Sequence, residues 1–225
     1  YATPSHQFPT SVTMSHARRA ALLAAASEQR FLILEDDYEA ELDSMRKPEP
    51  SLRAIDTAGR VIYVGSMSKT LSPGLRLGYI VAHRDIIREA RAIRRALLRH
   101  APTLMQETMA YFLRLGHYDI HLRRTVSRKR DRWLRMDAAI REHLPQFKVQ
   151  SSGGTSFWLT GDEGFDSTEF CHRLLRRGVI VDDGAVFHMQ GELCRSFRMS
   201  FALVDPAQID AGIRLIADEA MAPPA

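Results

Sequence analysis

Gly65-Ser66-Met67-Ser68-Lys69-Thr70-Leu71-Ser72-Pro73-Gly74-Leu75-Arg76-Leu77-Gly78-Tyr79 is the stretch on which the reading of this chain turns. It follows Val61-Ile62-Tyr63-Val64, a short β-branched run that predicts a buried strand. It ends inside Leu75–Ala82, where Gly78-Tyr79-Ile80-Val81 predicts another. Between the two strands a lysine stands among hydroxyls, with an arginine a few residues on. Open α/β sheets hold their ligands at the carboxyl ends of strands. Hydroxyls and a guanidinium fork at such a place suit a small anion.

Two more polar groups fall near predicted strands. Phe31-Leu32-Ile33-Leu34 reads as a buried strand, with Glu35-Asp36-Asp37-Tyr38 placed directly after it. Arg198 lies in the predicted strand Ser196–Phe201, with Arg195 as its nearest rival. Helix signals alternate with these strands. Ser15 is placed as the N-cap of a helix through Ala17–Gln29. Asp85–His100 has helical spacing through Ile86, Ala90, Ile93 and Leu97. Pro102 restarts a helix to about Leu115, and a long helix follows over roughly Asp119–Leu144.

After Pro145 the pattern changes. Strands at Phe147–Gln150, Ser156–Thr160, Val179–Val181 and Ser196–Phe201 alternate with helices at Ser167–Arg177 and Pro206–Ala220. The expected architecture is therefore an α/β layer, a long connecting helix, then a smaller α+β unit. Residues 1–116 form the first part and 117–225 the second. The tail from Ala222 is expected to fray.

Composition bounds the function. The chain has 225 residues, 45% of them hydrophobic and 26% charged, as in a folded globular protein. It contains no run of ~18 apolar residues, so no transmembrane helix or membrane partner is expected. It opens Tyr1-Ala2-Thr3-Pro4 with no secretory signal. The 2 cysteines, Cys171 and Cys194, make no disulfide framework and suit a reducing cytoplasm. Cys171 is read as a packing residue. No His/Cys/Asp set has metal-ligand spacing, so no metal is expected.

The 31 basic residues are nearly all arginine, with only Lys47, Lys69, Lys129 and Lys148 as lysines. A net charge of +4 spread along the chain is a weak argument for nucleic-acid binding. The run Arg123–Arg135 reads as a solvated helix face.

The polar groups assemble into a definite chemistry. A lysine can form a Schiff base, Ser66 and Arg76 suit a phosphate, a buried carboxylate keeps a pyridine nitrogen protonated, and a phenol can meet a ring oxygen. These are the parts of a pyridoxal 5'-phosphate (PLP) site. The segment from Gly65 to Tyr79 resembles the Schiff-base signature of fold-type I, class I/II aminotransferases, roughly G-[ST]-x-S-K-x-x-x-P-x-x-R-x-G-[YW].

That resemblance implies that Lys69 is the Schiff-base lysine and the catalytic proton shuttle. Ser66, Ser68 and Arg76 are grouped with the cofactor's binding residues. Asp36 is the pyridine-nitrogen partner and Tyr38 the phenol partner, at an aspartate-to-tyrosine spacing one residue shorter than in most free-standing aminotransferases. Arg198-Met199-Ser200-Phe201 is similar to the strand whose arginine forks onto the substrate α-carboxylate.

Thr3-Pro4-Ser5-His6-Gln7-Phe8-Pro9-Thr10 and the Glu-Asp-Asp-Tyr spacing resemble MocR-type regulators, which join a GntR-type winged helix-turn-helix to an aminotransferase-like domain. His6 stands nearest the position of an asparagine that meets the cofactor's ring oxygen, and Ser11 replaces a usual glycine. His121-Leu122-Arg123-Arg124 and Gly184-Ala185-Val186-Phe187 are also similar to family segments, with Asp183 in place of a proline.

The likeness runs from residue 1 to about 220. It implies the C-terminal half of a fold-type I domain: a remnant of the large α/β domain plus the small α+β domain. The expected longer protein carries the missing half, including the phosphate-binding helix N-terminus. It is expected to be a homodimer that takes a small amino compound or amino acid, and to meet DNA only through a missing N-terminal domain. Two readings stay open, an effector domain of a transcriptional regulator and a working aminotransferase moving an amino group between an amino acid and a 2-oxo acid.

Overall fold

The computed structural model describes residues 1–43, 45, 49–100, 102–151, 153–188 and 194–222. Residues 223–225 of the expected frayed tail lie outside the described residues, as does Lys47. The chain divides into two compact units, one of residues 1–7 and 13–126, the other of residues 8–12 and 127–225.

The first unit opens with α1 (His16–Glu28), started where expected by Ser15, whose hydroxyl accepts from the Arg18 amide. Its sheet has the order β1-β2-β3: β1 (Ile33–Asp37) runs parallel to β2 (Val61–Ser66), and β3 (Gly78–Val81) runs antiparallel to β2. A short helix, α2 (Leu52–Ile55), precedes β2, and α3 (Arg84–Leu98) and α4 (Thr103–Arg114) follow β3. The small buried cluster is Ala26, Ile33, Leu52 and Val61.

Strand β1 corrects the sequence reading. Pairing starts at Ile33, whose amide donates to Arg60, and runs on to Asp37, so the acidic triplet lies in the strand and not after it. Glu35 is wholly buried, and its carboxylate accepts the Leu52 and Arg53 amides at 2.8 Å each, capping α2. Strand alternation puts Ile33 and Glu35 on one face, and the exposed amides of a helix start give the buried charge its partners. Arg19 is also wholly buried: its guanidinium donates to the carbonyls of Met14, Pro50 and Pro4 at 2.9–3.0 Å. Gly78 is required by packing, since a Cβ there would stand 2.8 Å from the Gly65 carbonyl oxygen across the ladder.

Helix α5 (His117–His143) crosses from the first unit into the second. In the second unit its Met136 and Ile140, with Leu144 just beyond, enter the core. There β4 (Lys148–Gln150), β5 (Ser156–Thr160), β6 (Asp182–Asp183) and β7 (Ser196–Ser200) form an antiparallel sheet ordered β4-β5-β7-β6. Helices α6 (Ser167–Arg176) and α7 (Ile209–Met221) complete the unit. Phe147, Phe157, Phe170, Phe197 and Phe201 are buried together, with the Phe147 and Phe197 rings edge to face at 5.3 Å.

The expected strand Val179–Val181 is not formed; pairing begins at Asp182, opposite Arg198. The preceding residues are used to end α6. Gly178, at φ +79°, donates its amide to Leu175, and the Val179 amide donates to Leu174, the paired bonds of a Schellman cap. No helix among the described residues is long and apolar enough to cross a membrane.

Candidate functional site

In the first unit, the parallel register sets Asp36 opposite Val64 and Asp37 opposite Gly65. Tyr38 and Ser66 therefore emerge at the same end of β1 and β2. A small polar cleft there is lined by Asp37, Tyr38, Tyr63, Ser66, Thr70 and Tyr79. The chain then turns over 68–71, closed by the Leu71 amide donating to Met67 at 3.0 Å. Ser66 Oγ accepts the Ser68 amide at 3.2 Å, and Lys69 is exposed on the turn. Ser72 caps a short turn, Pro73–Leu75, that ends at Arg76. Arg76 is exposed and left-handed, at φ +49°.

The Asp36 carboxylate accepts a 2.6 Å hydrogen bond from the Tyr1 hydroxyl, and this bond pushes the Tyr1 phenol up to about 12. Asp37 takes the Tyr63 hydroxyl at 3.0 Å; burial and the Asp37 charge raise that phenol strongly. The Tyr38 hydroxyl donates to the His6 carbonyl at 2.9 Å. His6 itself is 2% exposed, with Nε2 3.3 Å from Asp43 Oδ2, yet neither ring nitrogen makes a well-formed hydrogen bond among the described residues.

The lysine turn is held from α5. His121, at the start of α5, donates Nε2–H to the Thr70 carbonyl at 2.9 Å, and the Thr70 side chain is buried. One turn earlier the Tyr118 hydroxyl donates to the Glu41 carboxylate, and burial with that bond raises the Tyr118 phenol. The His121-Leu122-Arg123-Arg124 likeness pointed at this helix start without assigning it a task. Arg19 and Glu35 were equally unforeseen; the Arg18-Arg19 pair inside an Ala/Leu-rich helix was the available signal.

In the second unit, Arg198 on β7 is largely buried and Arg195 is exposed. Arg198 Nη1 donates to Asp182 Oδ2 at 2.6 Å, and its guanidinium carbon lies 5.0 Å from the Phe8 ring centre. Ser11 takes the left-handed conformation at φ +58°, as the usual glycine would, and its buried hydroxyl lies 3.0 Å from Ser156 Oγ. Asp183 has its own use: its carboxylate accepts the Ser167 and Thr168 hydroxyls at 2.7 Å and the Ala185 amide at 3.0 Å. Gly184 beside it admits no side chain, since a Cβ would fall 2.1 Å from the Ser196 carbonyl oxygen. Cys171 is buried in the core, and burial pushes its thiol up to about 12, so it is an inert packing thiol. No group of three or more His, Cys, Asp or Glu side chains among the described residues is arranged to hold a metal ion.

The donor set fits a phosphorylated pyridine aldehyde. Lys69 offers an exposed primary amine, Ser66 a hydroxyl, Arg76 a guanidinium, and Asp36 a half-buried carboxylate. The buried His6 ring has donor capacity not spent on a well-formed hydrogen bond among the described residues.

Sheet topology and strand-end groups together define an α/β protein with an amine, hydroxyls, a guanidinium and a carboxylate near one strand end. The family profile "Aminotransferase class I and II" matches residues 4–216, and the chain belongs to that family. It is 43% identical to the HTH-type transcriptional regulator TauR of Rhodobacter capsulatus over 96% of this chain and 45% of that protein. It is 30% identical to aromatic-amino-acid aminotransferase 1 of Thermococcus litoralis over 97% of this chain and 53% of that one. The crystal structure of Pyrococcus horikoshii kynurenine aminotransferase in complex with PMP superposes with a TM-score of 0.91 at 32% identity, over 97% of this chain and 55% of that one. The chain thus spans about half the length of the relatives it matches, which include both transcriptional regulators and aminotransferases.

Proposed function

We propose that this chain is the Schiff-base-bearing half of a PLP-binding domain, and that the longer protein is a MocR/GntR-type transcriptional regulator using that domain to sense an amino compound. The observation that carries the reading is the Lys69 turn: a lysine between Ser66 and Arg76, leaving β2 at the strand end shared with Asp36 and Tyr38. The 43% identity to TauR supports the regulator over the enzyme.

Bound at this strand end, PLP supplies an electron sink for chemistry at an amine-bearing carbon. Ser66 Oγ and the Arg76 guanidinium hold its phosphate, with Ser68 ordering the Ser66 hydroxyl. The Asp36 carboxylate orients and charges the ring nitrogen, since a neighbouring anion favours the protonated form. Tyr38 and His6 serve the ring-oxygen side. Lys69 Nζ would be the amine that holds the cofactor's aldehyde carbon, and the same nitrogen would be placed to move a proton at the substrate Cα. Arg198 binds the α-carboxylate of the amine. Residues 1–116 supply the large-domain part and residues 117–225 the linking helix and small domain. The longer protein is a cytoplasmic homodimer reaching DNA through an N-terminal domain.

The test uses the full-length protein mixed with PLP. Borohydride reduction and peptide mass spectrometry should place a pyridoxyl group on Lys69, and Lys69→Ala should abolish both the label and the visible absorbance. A label elsewhere, or absorbance unchanged in Lys69→Ala, refutes the assignment. Multiple turnovers of an amino acid with a 2-oxo acid, without any change in DNA binding, would favour the enzyme.

A further inference from the structure

Arg198 does not wait with an open fork. Its planar guanidinium has two edges able to grip a carboxylate with paired N–H groups, Nε/Nη2 and Nη1/Nη2. Nε is buried without a hydrogen-bond partner among the described residues, so the first edge is closed to an incoming ligand. Nη1, on the other edge, already donates to Asp182 Oδ2 at 2.6 Å. Asp182 stands directly opposite Arg198 in the β6–β7 register, so the backbone ladder itself holds the two side chains in reach. The Phe8 ring lies against the guanidinium, 5.0 Å from its central carbon, and limits how it can turn away.

We propose that Asp182 is an internal competitor for the Arg198 fork, and thereby the residue that sets how strongly this chain prefers carboxylate-bearing amines over amines without a carboxylate. The inference rests on the reading of Arg198 as the carboxylate binder. While Asp182 holds Nη1, the positive charge is locally balanced. A ligand carboxylate must exchange with Asp182 to obtain two parallel bonds. The exchange is accessible because the Asp182 side chain is 48% exposed and can leave into water, where exposed ion pairs are weak. Asp182 thus lowers the gain from a ligand carboxylate without blocking it.

The experiment measures, in the full-length protein with and without added PLP, the affinities of propionate and of its uncharged isostere propionamide, read from ligand-dependent shifts in thermal unfolding. Asp182→Asn and Asp182→Ala should each tighten propionate roughly fivefold, or about 1 kcal/mol at about 1.4 kcal/mol per decade, and leave propionamide unchanged. Arg198→Gln should erase the propionate preference, alone and combined with Asp182→Ala. If Arg198→Gln leaves the preference intact, the carboxylate-binding role of Arg198 is wrong and this inference falls with it. If Arg198→Gln erases the preference but neither Asp182 variant tightens propionate, only the competitor role is overturned. Weaker propionate binding in both Asp182 variants also overturns it, because Asp182 would then be orienting the guanidinium. Two substitutions are used so that the failure of one to fold does not decide the matter.

Discussion

The two sheets of this chain are finished in opposite ways. In the second unit, four of the five β5 residues are buried, and Phe157 and Phe197 from neighbouring strands are wholly enclosed. In the first unit, all four β3 residues are exposed, and the buried apolar cluster is four small or medium side chains. What replaces the missing apolar burial is polar. Arg19 ties three carbonyls, Glu35 caps α2, and His121 pins the Lys69 turn. The unit with the candidate cofactor chemistry thus sets several buried polar ties beside a small apolar cluster, and the other is built round a large aromatic one. Directed bonds are worth little each but are costly to leave half made.

The largest test of that contrast lies in the packed unit. Phe197→Ala empties the middle of the aromatic cluster and should cost about 4 kcal/mol, within the range for buried phenylalanine truncation. Both tryptophans, Trp133 and Trp158, belong to this unit, so the loss should appear as a lowered denaturation midpoint in tryptophan fluorescence. A change under about 1 kcal/mol would mean the aromatic cluster does not carry this unit.

The matching test in the first unit is Arg19→Met, which keeps bulk and removes every donor. It leaves the Pro4, Met14 and Pro50 carbonyls and the buried Glu35 without the cation, and should cost about 3 kcal/mol. Amide hydrogen exchange along β1 and β2 should speed up while the tryptophan signal holds. A neutral Arg19→Met would show that polar ties do not substitute for a core here.

These two residues also mark where the sequence was legible. Phe197 sits in an alternating strand whose period and neighbours announce burial, and β5, β7 and the helices other than α2 were placed to within a few residues. The Lys69 turn was readable because several residue types recur there at fixed spacing. Arg19, Glu35 and His121 were not, because each acts on backbone groups distant in sequence, and no local pattern marks a carbonyl or amide in need of a partner. The strand expected at Val179–Val181 failed for a related reason. Its β-branched residues argued for pairing, but α6 closes on the amides of Gly178 and Val179, so the first amide of the expected strand is already spent. Glu35 to Asp37 were misplaced by charge, which reads as loop until the α2 amides are seen.

A smaller effect separates by pH. Burial works against the Asp183 charge, but the Ala185 amide, the Thr168 and Ser167 hydroxyls and His172 together hold its carboxyl below the usual range. A depressed folded-state value gives stability that is present above the unfolded value, about 3.9, and is lost as pH falls through the folded one. Asp183→Asn should thus cost about 1 kcal/mol near neutrality. The difference from the unsubstituted chain should shrink as the solution is acidified below the ordinary carboxylate range. A gap that stays constant into strong acid would assign the effect to shape and not to charge.

The smallest effect on stability probes the open side of the contrast. In β3, Tyr79, Ile80 and Val81 are consecutive and all exposed. Because neighbouring strand residues point to opposite faces, both faces of β3 are partly exposed, and in the order β1-β2-β3 its outer edge is also unpaired among the described residues. An apolar strand with a free edge is a template for pairing with another chain. Ile80→Lys removes no buried contact, so stability should move by no more than about 0.5 kcal/mol. It places a charge at the edge, as edge strands that resist association do, so light scattering from the 225-residue chain should fall. If scattering stays the same while stability is unchanged, β3 is not the sticky element, and the exposed Leu97 and Leu98 of α3 become the next side chains to replace. If stability drops by several kcal/mol, Ile80 is buried in solution, and the first unit has a larger core than its four-residue cluster indicates.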